Sequence, residues 1–233
     1  MAFPTPVNGQ VTDSVSQEVD KGQAVYSKPV LSIYDLWVLG VSNKYIWKCP
    51  TAKLLSHFND NISSNHLDIG VGTGYYLDKC RFPSPEVRVA LMDLNQNSLD
   101  EAGKRIDRYK PTKYKFNVLD KVNLDTEPFD SISVNYLLHC LPGKLSEKLV
   151  VLDNVNHLLS ENGTVFGSTI LSNGVKKGAL ARKLMSIYNK KGIFSNTNDS
   201  VEDLENYLSS KYSNHEISVN GCVAIFKASN KTI

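Results

Sequence analysis

The feature that most constrains this chain is the stretch His66-Leu67-Asp68-Ile69-Gly70-Val71-Gly72-Thr73-Gly74, an apolar run that ends in an acid and then places three glycines at alternate positions. Glycine carries no Cβ and enters positive φ freely, so this spacing lets the backbone turn sharply and approach a ligand closely. The pattern reads as a buried strand running into a cradle, followed by a helix.

Spacing separates the ligand classes that such a cradle can take. A dinucleotide-binding turn reads G-x-G-x-x-G and aims a helix N-terminus at a pyrophosphate. Here the order is D-x-G-x-G-x-G, and an acid ahead of the glycines repels a pyrophosphate while it accepts hydrogen bonds from an ammonium group. A second apolar run, Val87 to Met92, ends in Asp93, which follows Gly74 by 19 positions. That distance holds a short helix, a turn and a strand, and a carboxylate at the end of the second strand suits both hydroxyls of a ribose. An adenosine with a cationic amino-acid tail answers both acids, and S-adenosylmethionine is such a molecule. Asp68, Gly70, Gly72 and Gly74 are expected to hold its methionine end, and Asp93, with Leu94 next to it, its ribose. The absence of G-x-G-x-x-G argues against a nicotinamide-dependent reductase.

Four stretches carry a resemblance: Tyr26 to Gly40 (YSKPVLSIYDLWVLG), His66 to Leu77 (HLDIGVGTGYYL), Asn135 to Gly143 (NYLLHCLPG) and Tyr188 to Asn196 (YNKKGIFSN). The chain resembles the class I S-adenosylmethionine-dependent methyltransferases, and within them a small family shared by bacteria and fungi, some of whose fungal members O-methylate aromatic polyketides. The glycine loop points to the superfamily and the other three stretches to the narrower family. The resemblance implies an α/β, Rossmann-like, seven-stranded and mainly parallel sheet of order 3-2-1-4-5-7-6, its last strand antiparallel, with cover helices ahead of the first strand. It also implies contacts to adenine from Asn117 and Val118 at the end of strand three, and to the methionine amino group from Asn135 at the end of strand four. DNA-base and glutamine methyltransferases place Asn/Asp-Pro-Pro-Tyr at that last position, whereas this chain has Asn-Tyr-Leu-Leu.

Composition narrows the setting. With 233 residues, 41% hydrophobic and 21% charged, the chain suits one globular domain and a modest extra element. A net charge of +2 gives no reason to expect nucleic acid or a membrane surface as partner. Cys49, Cys80, Cys140 and Cys222 form no C-x-x-C pair, so neither a zinc knuckle nor a redox dithiol is expected, no metal is expected, and a reducing cytoplasm fits. No apolar run reaches the length of a membrane span.

Along the chain, residues 1–22 read as a mobile leader and 23–233 as a single methyltransferase domain, with cover helices over 23–62 and the core over 63–233. The cover comprises a helix from Pro29 onward and a second from Tyr45 to Phe58. Strands are expected near Asn65–Ile69, Val87–Met92, Tyr114–Val118, Ser131–Tyr136 and Thr164–Ile170, with a closing hairpin of Glu216–Val219 and Cys222–Lys227 turning at Asn220-Gly221. Helices are expected at Tyr75–Lys79, from Asn97 (as cap) to Tyr109, from Pro142-Gly143 through Leu159 with Asn162-Gly163 as its C-cap, at Ala179–Asn189 and at Ser200–Ser209.

For chemistry, His139 is the candidate, since it follows strand four near the expected sulfonium position and an imidazole could take a proton from a phenol or hydroxyl. The competing reading is a packed histidine bonded to backbone. Tyr26, Tyr34 and Trp37 could cover a flat acceptor, with Trp47 in the core, and Tyr188 and Phe194 could form the opposite wall. The expected function is methyl transfer to a small-molecule acceptor, with O-methylation of an aromatic or polyketide-like metabolite implied by the family resemblance. The alternative is a cofactor-binding cyclase or scaffold on the same fold.

Overall fold

The computed structural model describes residues 35–231 in backbone and 39–230 in side chain. The expectations for residues 1–22, Tyr26 and Tyr34 lie outside the described residues, and so does the side chain of Trp37.

Seven strands form one sheet of order β3-β2-β1-β4-β5-β7-β6: β1 Asn65–Ile69, β2 Arg88–Asp93, β3 Thr112–Lys115, β4 Phe129–Asn135, β5 Leu159–Ile170, β6 Tyr212–Asn220 and β7 Val223–Lys231. β1 to β5 pair in parallel, and β7 runs antiparallel to both β5 and β6. The order and the antiparallel strand are those the resemblance implied. Helices α1 Thr51–Asn61, α2 Tyr75–Lys79, α3 Gln96–Arg105, α4 Leu145–Lys148, α5 Val150–Val155, α6 Ala179–Lys190 and α7 Val201–Lys211 fill the connections, preceded by a π-helical segment, Asp35–Ile46.

Alternation along the strands sorts residues onto two faces. Leu67, Ile69, Ile132 and Val134 point to a core shared with Leu145, Leu149, Leu152 and Val155 of the α4–α5 stripe and with Leu204 and Leu208 of α7. On the other face Val89, Leu91 and Phe166 pack with Phe58 of α1, Leu77 of α2 and Leu99 and Ala102 of α3. Burial of this order, about 25 cal/mol per Å² of apolar surface, is what holds the layers together.

Several boundaries differ from the sequence expectation for identifiable reasons. The second cover helix begins at Thr51, not Tyr45: Pro50 has no N–H to give a helix interior, and Lys48 takes φ 58° just before it. Asn95, not Asn97, caps α3, its side chain accepting from the N–H groups of Asn97 and Ser98, and the helix ends at Arg105 before a 3-10 turn over Asp107–Tyr109. The long helix after Pro142-Gly143 is two short ones meeting at Leu149, and a 3-10 turn at Asn156–Leu158 feeds straight into β5. Asn162-Gly163 is thus no helix cap. It lies where β5 shifts register, since Phe129 pairs with Leu159 but Ser131 with Thr164. β3 ends at Lys115, so Asn117 and Val118 stand just past the strand.

The hairpin turn is one residue later than its Asn-Gly signal suggests. Asn220 pairs with Val223, which leaves Gly221 and Cys222 as the loop, with Gly221 at φ 58°. Gly221 is pressed against the cover: a Cβ there would lie 2.0 Å from the carbonyl oxygen of Trp47, and the Cys222 N–H donates to that same oxygen at 2.8 Å. Trp47 is buried, as expected.

Candidate active site

The C-terminal ends of β1, β2 and β4 open into one cavity, as expected for ligand sites in sheets of this kind. Eight of the residues expected at the cofactor line it: Asp68, Gly70, Gly72, Asp93, Leu94, Asn117, Val118 and Asn135. The ninth, Gly74, does not. Its φ of 72° begins α2, and a Cβ there would lie 3.0 Å from Cα of Ala102, so Gly74 is required for the packing of α2 on α3. Gly72 has φ 52° and open space where a Cβ would stand. Gly70, at φ 71°, donates its N–H to the carbonyl of Met92 at 2.9 Å and ties the loop to β2.

The two acids sit in different surroundings. Asp93 accepts from the Asn95 N–H at 2.8 Å. Burial pushes its pKa up to about 6, and the backbone N–H groups of Asn95, Val71, Gly72 and Leu94 work against that rise. Asp68 is buried, and among the described residues it is the Ser133 hydroxyl that donates to its Oδ1. Burial pushes its pKa up to about 7, the Ser133 bond lowering it and the charge of Asp93 raising it. Among the described lining residues there is no Lys, Arg or His. A cavity that gathers two carboxylates and no cation repels phosphate and favours a cationic ligand. Asn135 adds a donor: its Oδ1 accepts from Ser168 at 3.0 Å, while its buried Nδ2 has no hydrogen-bond partner among the described residues. The open space over Gly72, an acid with no cation beside it among the described residues and the Asn135 amide fit the amino-acid and ribose parts of S-adenosylmethionine.

Residues that spacing did not single out complete the walls. Tyr136, at φ 55° just after β4, turns its hydroxyl to donate to Asn43 Oδ1 at 2.9 Å. Asn43 in turn donates to Thr51 Oγ1 at 2.9 Å, so the π-helical segment is latched to the end of β4, and its Leu39 lines the cavity. A non-glycine residue in the left-handed region costs roughly 1 kcal/mol or more and is held there by its neighbours.

His139 is not among the cavity-lining residues. It is buried; its Nδ1 accepts the Ile170 N–H at 3.3 Å and lies 3.4 Å from the Thr169 hydroxyl. Burial, with a smaller contribution from Lys148, pushes its pKa down to about 3. Nδ1 is thus an acceptor and the ring is neutral with its hydrogen on Nε2. The imidazole meets Phe194 edge-on at 4.6 Å, Phe194 meets Tyr188 at 5.0 Å and Trp47 at 5.9 Å. Tyr188 and Phe194 therefore form an aromatic cluster next to the cavity, which Tyr136 joins to it.

Comparison with known proteins agrees with this geometry. The family model described as a methyltransferase domain matches residues 67–165. The chain is 38% identical to demethylluteothin O-methyltransferase of Streptomyces thioluteus over 96% of its own length and 98% of the relative's. It is 42% identical to the physcion biosynthesis cluster O-methyltransferase of Aspergillus chevalieri, over 90% and 95% of the two chains. In fold it is similar to the crystal structure of the N-methyltransferase NodS from Bradyrhizobium japonicum WM9 in complex with S-adenosyl-L-homocysteine, with a TM-score of 0.60 at 15% identity over 94% and 99% of the chains. This chain belongs to the S-adenosylmethionine-dependent methyltransferases, and S-adenosylmethionine is its cofactor.

Proposed function

We propose that the enzyme methylates a hydroxyl of a small aromatic or polyketide-like acceptor in the cytoplasm. The observation that carries the cofactor assignment is the pair of strand-end carboxylates, Asp68 and Asp93, facing one cavity without a cation among its described lining residues. The names of the relatives, two of them O-methyltransferases, support the choice of oxygen and of the acceptor class.

In this reading Asp68 takes the ammonium group and Asn135 offers its free amide N–H to the carboxylate beside it. Asp93 accepts from the ribose hydroxyls, while Asn117 and Val118 border the adenine. The bound cofactor supplies a methyl group on a sulfonium, which moves by in-line displacement. Such a step depends on alignment and exclusion of water more than on a strong base. Tyr136 and Leu39 close the cavity above, and the cluster of Tyr188 and Phe194 shapes the acceptor side. His139, neutral and tied to the Ile170 N–H, holds Phe194 in place, and we expect His139→Gln to keep turnover within about threefold. A loss of about a hundredfold, the usual scale of general-base catalysis, assigns proton removal to the imidazole instead.

A radiolabelled-methyl assay against phenolic polyketides and matched aromatic amines tests the reaction. Label on a phenol oxygen is the expected result; label on nitrogen alone overturns the choice of nucleophile. Tight binding of the cofactor product with no transfer to any acceptor favours the scaffold or cyclase.

A further inference from the structure

β1 and β4 lie side by side at the centre of the sheet, and the register sets His66 opposite Ser131 and Asp68 opposite Ser133. All four are on the face packed by α1 and α2, and all are buried; His66, Ser131 and Ser133 are each 0% exposed. Their side chains form one line. The Ser63 N–H donates to Ser131 Oγ at 2.9 Å, Ser131 Oγ lies 2.7 Å from His66 Nδ1, His66 Nε2 lies 3.1 Å from Ser133 Oγ, and the Ser133 hydroxyl donates to Asp68.

The protons can be placed from the end of this line. In its ionised form Asp68 only accepts, so in that form the single hydroxyl proton of Ser133 is committed to it. Ser133 Oγ must then accept from His66, which puts the imidazole hydrogen on Nε2 and leaves Nδ1 to accept from Ser131. Phe58 and Phe166 enclose the ring at centroid distances of 5.6 and 5.8 Å, and burial pushes its pKa down to about 3, so it stays neutral. Every donor points toward Asp68, and bonds aligned in this way polarise one another.

We infer that His66 is a positioning residue for the cofactor: through Ser133 it fixes the orientation of Asp68 and favours the ionised form that receives the ammonium group. The inference rests on the proposed role of Asp68. The other titratable groups that face this carboxylate among the described residues do not favour ionisation. Asp93 on β2 repels the charge, and the Cys80 thiol after α2, itself raised to about 12 chiefly by burial and next by Asp68, is neutral. The free enzyme therefore holds a proton on Asp68 up to about pH 7. That proton passes to solvent when the ammonium binds, and the His66–Ser133 bonds lower the cost of releasing it.

Calorimetric titration with S-adenosylhomocysteine, from below to above pH 7 and in two buffers of different ionisation heat, tests this on wild type, His66→Leu, His66→Gln and Asp68→Asn, each checked for folding by thermal melting. Wild type should release a proton on binding and lose affinity tenfold per pH unit on the acid side. H66L should bind about tenfold more weakly at neutral pH, with its midpoint displaced to higher pH. H66Q, whose amide N–H can replace Nε2–H, should recover most of both. An unmoved midpoint in H66L overturns the inference, as does an H66Q variant no better than H66L. If H66L does not fold, Ser133→Ala takes its place, with the same displacement expected and an unmoved midpoint again overturning the relay. D68N keeps the two levels apart. If it binds like wild type, the role of Asp68 itself fails; if it loses binding while H66L keeps the wild-type pH profile, only the relay fails.

Discussion

Asp199 and Asp68 are both buried carboxylates, and the fold deals with them in opposite ways. Asp199 receives Lys148 Nζ on both oxygens, at 3.0 and 2.9 Å, with the side chains of the pair 1% and 0% exposed. Lys148 also reaches the carbonyl of Ser195, and the Asp199 carbonyl accepts the N–H groups of Ser172 and Asn173, so the pair staples the segment after Phe194 to α4 and to the end of β5. Burial pushes the Asp199 pKa up to about 6, with Lys148 pulling against it. Asp68 has a serine hydroxyl and, among the described residues, no cation. A charge that the fold neutralises for itself is architecture, whereas one left with a neutral donor awaits a cation from outside.

That contrast can be broken at either end. Lys148→Met strands Asp199 without its counter-ion and should cost about 3–5 kcal/mol of stability in denaturant unfolding; adding Asp199→Leu should return most of it. Asp68→Asn should do the reverse, costing no stability at neutral pH while weakening the cofactor product by about 2–3 kcal/mol, roughly 30- to 150-fold in calorimetry. The glycine loop sharpens the same division. Gly72→Ala meets only the backbone strain of its positive φ and should lose about 1–2 kcal/mol, while Gly74→Ala also collides with Ala102 and should melt lower still.

A further effect is one of slope. The folded-state pKa of Asp68 is raised from 3.8 to about 7, so across that window the folded chain keeps a proton that the unfolded chain has lost, and stability falls as pH rises. D68N should flatten this fall without abolishing it, because Asp93 and Asp199 are raised as well, each to about 6. Melting temperatures at pH values on either side of the window measure the change.

Much of the cofactor side was legible in the sequence because it is local. Glycines at fixed offsets and acids at strand ends announce themselves one strand at a time, and so did β1, α2 and the closing hairpin. What depended on partners distant in the chain was not legible. The split at Leu149 and the restart of the cover at Thr51 were hidden inside good helical periodicity. The register shift that absorbs Asn162-Gly163 needs β4 alongside it. His139 had the right distance from β4, but the Ile170 N–H and the Phe194 ring that occupy it come from β5 and the segment after α6. His66 was part of the most informative stretch, yet its partners Ser131 and Ser133 appear only when β4 is laid beside β1.

The contact between Gly221 and Trp47 fixes when the enzyme can be finished. The carbonyl of Trp47 waits for an N–H from Cys222, so a residue near the beginning of the described chain is secured by one near its end. During synthesis the strands that floor the cavity can pair well before the roof above them has its last anchor. A chain halted after β5 would carry the glycine loop, both acids and the latch from Tyr136 to Asn43, and would lack the Cys222 N–H that fastens Trp47 behind them.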